Sequence, residues 1–227
     1  MSLSLKQLER KFERRLYDQL CYQNIAEVVA NIKNGKGKIL EIGCGSGEIA
    51  RRYVHPYCET LIASDIAKRF EGSKIADDIP FQIEDALHLS FDDETFDGVI
   101  SKEVIEHVAD DELFIAESLR VLKKGGILFF TTPNRFRLTA VIRYFFGRPI
   151  RFPHRYGSGP GVGEVVHIRE YSLGDLRRLL KKFDARIKSA EIKGVYLGIP
   201  HWQIGLKRFP KFLSRFAYSW NIRLVKR

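Results

Sequence analysis

The chain has 227 residues, 44% of them apolar and 29% charged, enough to bury the core of one α/β domain and too apolar for a disordered tail. No apolar run approaches the roughly 18 residues that a membrane-crossing helix needs, and the opening Met-Ser-Leu-Ser-Leu-Lys lacks a signal-peptide core. The net charge of +10 is unevenly spread: Lys102 is the single Lys or Arg between Glu84 and Glu117, whereas Pro133 to Gly163 holds six arginines and no acid. The stretch Lys207 to Arg227 is again acid-free, with seven Lys or Arg. Such asymmetry points to an anionic partner for the basic half, or else to a merely solvated basic surface. Cys21, Cys44 and Cys58 are odd in number and match no metal spacing, so reduced thiols and a cytoplasmic setting are expected.

Residues 1–34 are read as an N-terminal helical segment. Leu5, Leu8, Phe12, Leu16 and Leu20 recur at helical steps, and Asn34-Gly35-Lys36-Gly37 ends the run. Lys38 to Ile42 is a first strand entering a glycine-rich turn, and Glu48 to Val54 restarts a helix. Strands follow at Thr60–Ser64, Pro80–Ile83, Phe96–Ser101 and Ile127–Thr131, with a helix from Asp110 to Leu122 before the last of them. Strands alternating with helices predict a parallel sheet wrapped on both faces. Residues 133–166 are read as an insertion or lid, with a helix over Phe136–Phe146 and a glycine-rich run, Gly157 to Gly163, that holds no single shape by itself. Ser172 caps a helix through Phe183, and Ala185–Ile192 and Asn221–Lys226 are late strands. In the basic C-terminal segment, 205–227, Phe209, Phe212, Leu213, Phe216 and Trp220 form a stripe at helical spacing.

Two groups of residues carry chemistry. In Glu41-Ile42-Gly43-Cys44-Gly45-Ser46-Gly47 the spacing is Gly-x-Gly-x-Gly, not the dinucleotide Gly-x-Gly-x-x-Gly, which disfavours a nicotinamide dehydrogenase. Asp65 ends the next strand, where a carboxylate can accept both hydroxyls of a ribose, and Asp85 ends the third, within reach of an adenine amino group. The second group is Glu103, Glu106 and His107, at i, i+3 and i+4, which one helical turn would place on one face. Two carboxylates and an imidazole suit a divalent cation.

The ordered motifs E-I-G-C-G-S-G, S-D-I, E-D-A-L-H-L-S-F-D-D-E-T-F-D, E-V-I-E-H-V and L-K-K-G-G-I-L-F-F-T-T-P-N-R resemble the class I S-adenosylmethionine-dependent methyltransferases. The likeness runs from about Lys38 to Arg135. It implies a Rossmann-like, seven-stranded, mostly parallel sheet with helices on both faces and one antiparallel strand near the C-terminus. It also implies that Glu41, Gly43 and Gly45 hold the methionine part of S-adenosyl-L-methionine, Asp65 the ribose, and Asp85 with Ala86 the adenine. The Glu-x-x-Glu-His pattern resembles two metal-assisted branches, the ubiquinone-biosynthesis O-methyltransferases and the Hen-type RNA 2′-O-methyltransferases. In the latter a downstream histidine, here His167 ahead of Glu170-Tyr171-Ser172, completes a site with Glu103, Glu106 and His107 for Mg²⁺ or Mn²⁺; His154 is a weaker choice, and Hen-type sequences cluster histidines where this chain has His167 alone. The other reading leaves out the metal and makes His107 the catalytic side chain in the substrate pocket.

The expected activity is O-methylation of a small or lipid-like acceptor, with RNA 2′-O-methylation or metal-free small-molecule methylation as alternatives. Two partners are open to the basic aromatic segments. A helix at Phe209–Trp220 could rest on an anionic membrane surface, making the protein peripheral there. The arginines interleaved with Phe136, Tyr144, Phe145, Phe152 and Tyr156 could grip RNA. The plainer expectation is that these aromatics pack on the sheet while Lys and Arg snorkel. Neither the acceptor nor the oligomeric state follows from the sequence.

Overall fold

The computed structural model describes residues 19–67, 75, 77–159, 163–198, 205–206 and 209–227. Residues 1–18 of the expected N-terminal helix lie outside that set. Residues 19–31 are helical (α1), and the helix gives way to a short 3₁₀ turn in which Lys33 and Asn34 both adopt left-handed backbone before Gly35. Among the described residues no helix is long and apolar enough to cross a membrane.

Strands β1 (Lys38–Ile42), β2 (Thr60–Asp65), β3 (Phe81–Ile83), β4 (Phe96–Lys102) and β5 (Leu122–Pro133) pair in parallel in the order β3-β2-β1-β4-β5. The arginine-rich stretch contributes a separate hairpin, β6 (His154–Gly159) with β7 (Gly163–His167). Strand β8 (Ile187–Val195) precedes the two-residue strands β9 (Leu197–Gly198) and β10 (Gly205–Leu206), and β11 (Ser219–Lys226) closes the sheet. It lies antiparallel between β5 and β8, so the seven-stranded order is β3-β2-β1-β4-β5-β11-β8.

Alternation along the central strands builds two cores. Leu40, Val99, Leu128 and Phe130 face one way, onto helices α2 (Asp111–Val121) and α4 (Leu173–Lys181), where Phe114, Leu119 and Leu176 are fully buried. Ile39, Ile100, Ile127 and Phe129 face the other way, onto Ile25, Val29 and Ile32 and onto Ala50 and Val54. Successive strand residues point to opposite faces, so a helix layer on each side needs this two-sided apolar run. Truncating a side chain such as Phe114 to alanine would cost about 3–5 kcal/mol. At Gly98 on β4 an added Cβ would lie 2.5 Å from Ile32 Cδ1 and 2.8 Å from Ile39 Cδ1, so both isoleucine tips would have to shift to admit it.

The helix starts are chemically marked. The Asp110 side chain accepts from Leu113 N, and Ser172 with Asp175 makes a reciprocal capping box at α4. The helix expected after the glycine turn is present, and from Ala50 to Val54 it is a wide π-helical turn.

Two further expectations are corrected. The glycine-rich run is not shapeless: its described residues form the β6–β7 hairpin, preceded by helix α3 (Leu138–Phe145). Nor do Phe209 to Trp220 make one amphipathic helix. Lys211–Phe216 is a 3₁₀ segment, while Trp220 is fully buried in β11 with its Nε1 donating to Tyr171 O at 3.0 Å. The pull of the sheet on Trp220 overrides the helical spacing of the stripe. For Trp220 the packing expectation describes what is seen, whereas Phe212 stays exposed.

Candidate functional site

Parallel sheets of this kind bind ligands at the carboxyl ends of the strands where the strand order reverses. Here that point lies between β1 and β4, and it opens into a cavity of about 570 Å³ lined by Gly43, Gly45, Asp65, Asp85, Ala86, Glu103, Val104 and His107 among others. Five of the six residues assigned to the cofactor therefore line one cavity, and the sixth, Glu41, is buried in β1 two residues before the turn.

The turn is built from positive backbone angles, with φ of 74° at Gly43, 51° at Gly45 and 76° at Gly47. Gly43 N and Cys44 N both donate to Ser64 O at 2.9 Å, and Gly45 N donates to Asp65 Oδ2 at 2.8 Å, so the turn is tied to the end of β2. Asp65 Oδ1 also accepts from Ala67 N at 3.1 Å. Asp85 Oδ1 accepts from Leu87 N at 2.9 Å, which fixes the turn that brings Ala86 to the cavity wall. Gly47 does a different job from the other two. A Cβ there would lie 2.0 Å from Ile75 Cγ1 and 2.7 Å from Ile75 N, so its role is close packing of the chain on itself. Glu41 is 1% exposed and its Oε2 has no hydrogen-bond partner; burial, with Asp65 adding its charge, pushes its carboxyl up to about 8.

The opposite wall departs from the expected helical turn. Glu103 has a left-handed φ of 54°, which prevents a helix from starting there, and its Oε2 lies 3.1 Å from Lys102 Nζ. The three residues whose ligand atoms come within 4.8 Å of one another are Glu106, His107 and His167, and Glu103 is not in that group, although its charge acts on Glu106 and His107. The alternative histidine, His154, pairs in register with His167 across the hairpin but lies outside that group.

Glu106 is fully buried; Thr132 Oγ1 donates to its Oε2 at 3.0 Å, and its Oε1 has no partner. Burial first, and the Glu103 charge second, hold its carboxyl well above the usual range. His107 Nδ1 is 2.8 Å from Val166 O, and Ile168 N donates to Glu106 O at 2.9 Å, so the two histidine-bearing segments are clasped together. The imidazoles of His107 and His167 stand edge to face with centroids 4.8 Å apart. Burial, aided by the neighbouring His167, holds the His107 pKa below its ordinary value against the pull of the Val166 carbonyl, so the ring is neutral at pH 7. A neutral ring donating from Nδ1 to that carbonyl carries its lone pair on Nε2.

Behind His167 is a buried ion pair that charge counting misplaced. His167 Nδ1 lies 3.2 Å from Glu170 Oε1, and Glu170 Oε2 is bound by Arg137 Nη1, with both side chains nearly inaccessible. Arg137 also donates to Asn134 O at 3.1 Å and lies over the Tyr218 ring. One of the six arginines of the acid-free stretch is therefore interior. The signal lay in Glu170, the acid directly before Tyr171 and Ser172.

Residues 40–130 match the family described as methyltransferase domain. The chain is 36% identical over 106 residues to the ubiquinone biosynthesis O-methyltransferase of Mesorhizobium japonicum, covering 43% of this chain and 41% of that protein. It is 30% identical over 142 residues to the human mitochondrial ubiquinone biosynthesis O-methyltransferase, covering 56% and 38%. The chain thus spans about two-fifths of the length of these curated relatives. Among solved structures, magnesium protoporphyrin IX methyltransferase from Synechocystis with bound S-adenosylhomocysteine superposes with a TM-score of 0.64 at 16% identity, covering all of this chain and 90% of that one. A Methanosarcina mazei S-adenosylmethionine-dependent methyltransferase gives 0.58 at 23% identity over 88% and 96%. At such identities the superpositions speak for the fold.

Proposed function

We propose that this chain, which carries a class I S-adenosylmethionine-dependent methyltransferase domain, transfers the sulfonium methyl to an oxygen of a small or lipid-like acceptor. The observation that carries the reading is the single cavity that sets the glycine turn, Asp65 and Asp85 against His107. Asp65 suits the ribose hydroxyls, and Asp85 with Ala86 suits the adenine. Glu41, buried with an unpartnered oxygen, suits the ammonium of the methionine part. The methyl group is already activated by the sulfonium, so the protein's share is alignment and help in removing the acceptor's proton. His107, neutral and held by Val166 O, is placed for that proton.

A second role for the same wall is a divalent cation. The unpartnered Glu106 Oε1 and two imidazoles within 4.8 Å fit one, and Glu106, His107 and His167 would hold it. Two nitrogens and one carboxylate suit Mn²⁺ better than Mg²⁺. When bound, such an ion lowers the pKa of a coordinated acceptor hydroxyl. Glu170 orients His167 as the hydrogen-bonded partner that metal-binding histidines commonly have.

The test is calorimetry with S-adenosylhomocysteine, followed by product mass after incubation with phenolic and lipid-like acceptors. Asp65→Ala should weaken cofactor binding by about 2–3 kcal/mol, as for loss of a charged hydrogen-bonding partner. His107→Asn should cut turnover by about 10²-fold with cofactor affinity unchanged. Full affinity in the Asp65 variant would remove that residue from the site. Turnover that survives chelation and gains nothing from Mn²⁺ leaves His107 as the base and removes the metal.

A further inference from the structure

Helix α3 has the composition of a buried helix and none of the burial. Its residues Leu138–Phe145 include none that is buried, and Phe145 and Phe146 are 80% and 78% exposed, with Tyr144 beside them at 68%. Beside these rings lies a cleft of about 450 Å³ lined by Arg135 and Tyr144 and otherwise by apolar groups, among them Phe136, Val141, Phe145 and Ile150. Arg135, Arg143, Arg148 and Arg151 are all exposed around this patch, and no acid occurs from Pro133 to Gly163. Adjacent large apolar groups of this extent are rare on the surface of a protein that has no partner there.

We propose that α3 and the segment to Phe152 form a docking surface for an anionic phospholipid bilayer. The aromatic tips would enter the headgroup boundary, the arginines would meet lipid phosphates, and the cleft would receive an acyl or isoprenoid chain. The pattern of an apolar face rimmed by cations is that of helices lying in a membrane interface. Nucleic acid is a poorer occupant on the same residues. Between Arg135 and Phe152 the only uncharged polar side chains are Thr139 and Tyr144, too few to read base edges.

The surface is also close to the chemistry. Arg137, the residue preceding α3, reaches inward to Glu170 and through it to His167, so the docking helix is joined to the wall of the cofactor cavity. This inference deepens the lipid-like acceptor of the proposed function by naming the surface from which such an acceptor would come.

Co-sedimentation of the full chain with vesicles tests it. Vesicles of phosphatidylcholine mixed with phosphatidylglycerol should retain the protein, pure phosphatidylcholine should not, and retention should fall steeply with salt. Phe145→Ser with Phe146→Ser should weaken retention by about tenfold or more, and Arg143→Ala with Arg148→Ala should flatten the salt dependence. Both pairs are exposed, so circular dichroism and S-adenosylhomocysteine affinity should match the parent. No retention on the mixed vesicles at low salt, or full retention by the serine pair, overturns the proposal. So does a chain that binds single-stranded RNA but not vesicles. The cofactor titration on the same samples keeps the two readings apart. A chain that docks but binds no cofactor sinks the proposed function alone, and one that binds cofactor but does not dock sinks this inference alone.

Discussion

The stretch from Lys38 to Thr131 and the stretch from Pro133 to Ser219 solve the same problem, holding polar groups at the mouth of a sheet, by different physics. In the first, the ligand-facing groups hang from strand ends and a turn, and their positions follow from buried strands and left-handed backbone at Gly43, Gly45 and Gly47. In the second, placement depends on side chains meeting over long separations, Arg137 with Glu170 inside it and His107 of the first stretch with Val166 O across to it. Backbone geometry is written locally and survives exchange of most side chains. A web of buried charges is written non-locally and fails when one member is lost.

The largest effect should therefore come from the second stretch. Arg137→Ala leaves the Glu170 carboxylate buried without its cation, and breaking a buried pair in this way costs about 3–5 kcal/mol. Urea denaturation should show this loss. Glu170→Gln with Arg137→Met, which removes both charges, should recover much of it. If the single variant loses under 1 kcal/mol, roughly what an exposed pair contributes, the contrast between the two stretches fails.

Next is Gly47→Ala. Its Cβ would collide with Ile75 Cγ1 and with the Ile75 backbone nitrogen, so the chain must move, and the left-handed φ adds strain; a loss above about 2 kcal/mol is expected. Thermal unfolding measures it, and the loss should be the same with and without cofactor.

These two cases mark what was legible. The strand-turn-helix around Gly43, the carboxylates at the ends of β2 and β3, and the antiparallel late strand could be read because each depends on short-range pattern or on recurrent motif order. Glu-x-x-Glu-His has helical spacing, whereas the chain at Glu103 turns through a left-handed residue that no local pattern announces. Arg137 reads as surface charge in the sequence because its partner lies 33 residues away, beyond any local pattern. Trp220 fitted a helical stripe, yet the gap between β5 and β8 took it as strand.

Glu41 sharpens the comparison from within the first stretch, since it is a buried carboxyl there whose partner the cofactor would supply. Its carboxyl is pushed up to about 8, so between its ordinary range near 4.5 and pH 8 the folded state keeps a proton that the unfolded state has lost. Stability contributed by that proton falls as pH rises through this window and is gone above it. Glu41→Gln should flatten this decline in a series of melting curves. Binding of the cofactor's ammonium needs the ionised carboxylate, so parent affinity should rise from pH 6 to pH 8. The Gln variant should show no such rise and bind about tenfold more weakly at pH 8, roughly 1.4 kcal/mol. Equal slopes for both would mean that Glu41 does not meet the cofactor.

The smallest effect on folding should come from Gly45→Ala, two residues from Gly47 in the same turn. No heavy atom lies within 4 Å of the Cβ that would be added, so there is no collision, and the cost is only that of a left-handed alanine, about 1 kcal/mol. The open space beside Gly45 is the cavity itself, however, and the new methyl group would stand where the methionine part of the cofactor is proposed to pass. The variant should thus melt close to the parent in the absence of cofactor and lose most of the stabilisation that cofactor gives the parent. Gly47→Ala should do the reverse, with a low melting temperature and an undiminished shift on adding cofactor to whatever fraction folds. If both alanines lower the unliganded melting point equally, the turn has one role rather than two. If Gly45→Ala keeps the full cofactor shift, the methionine part lies elsewhere in the cavity.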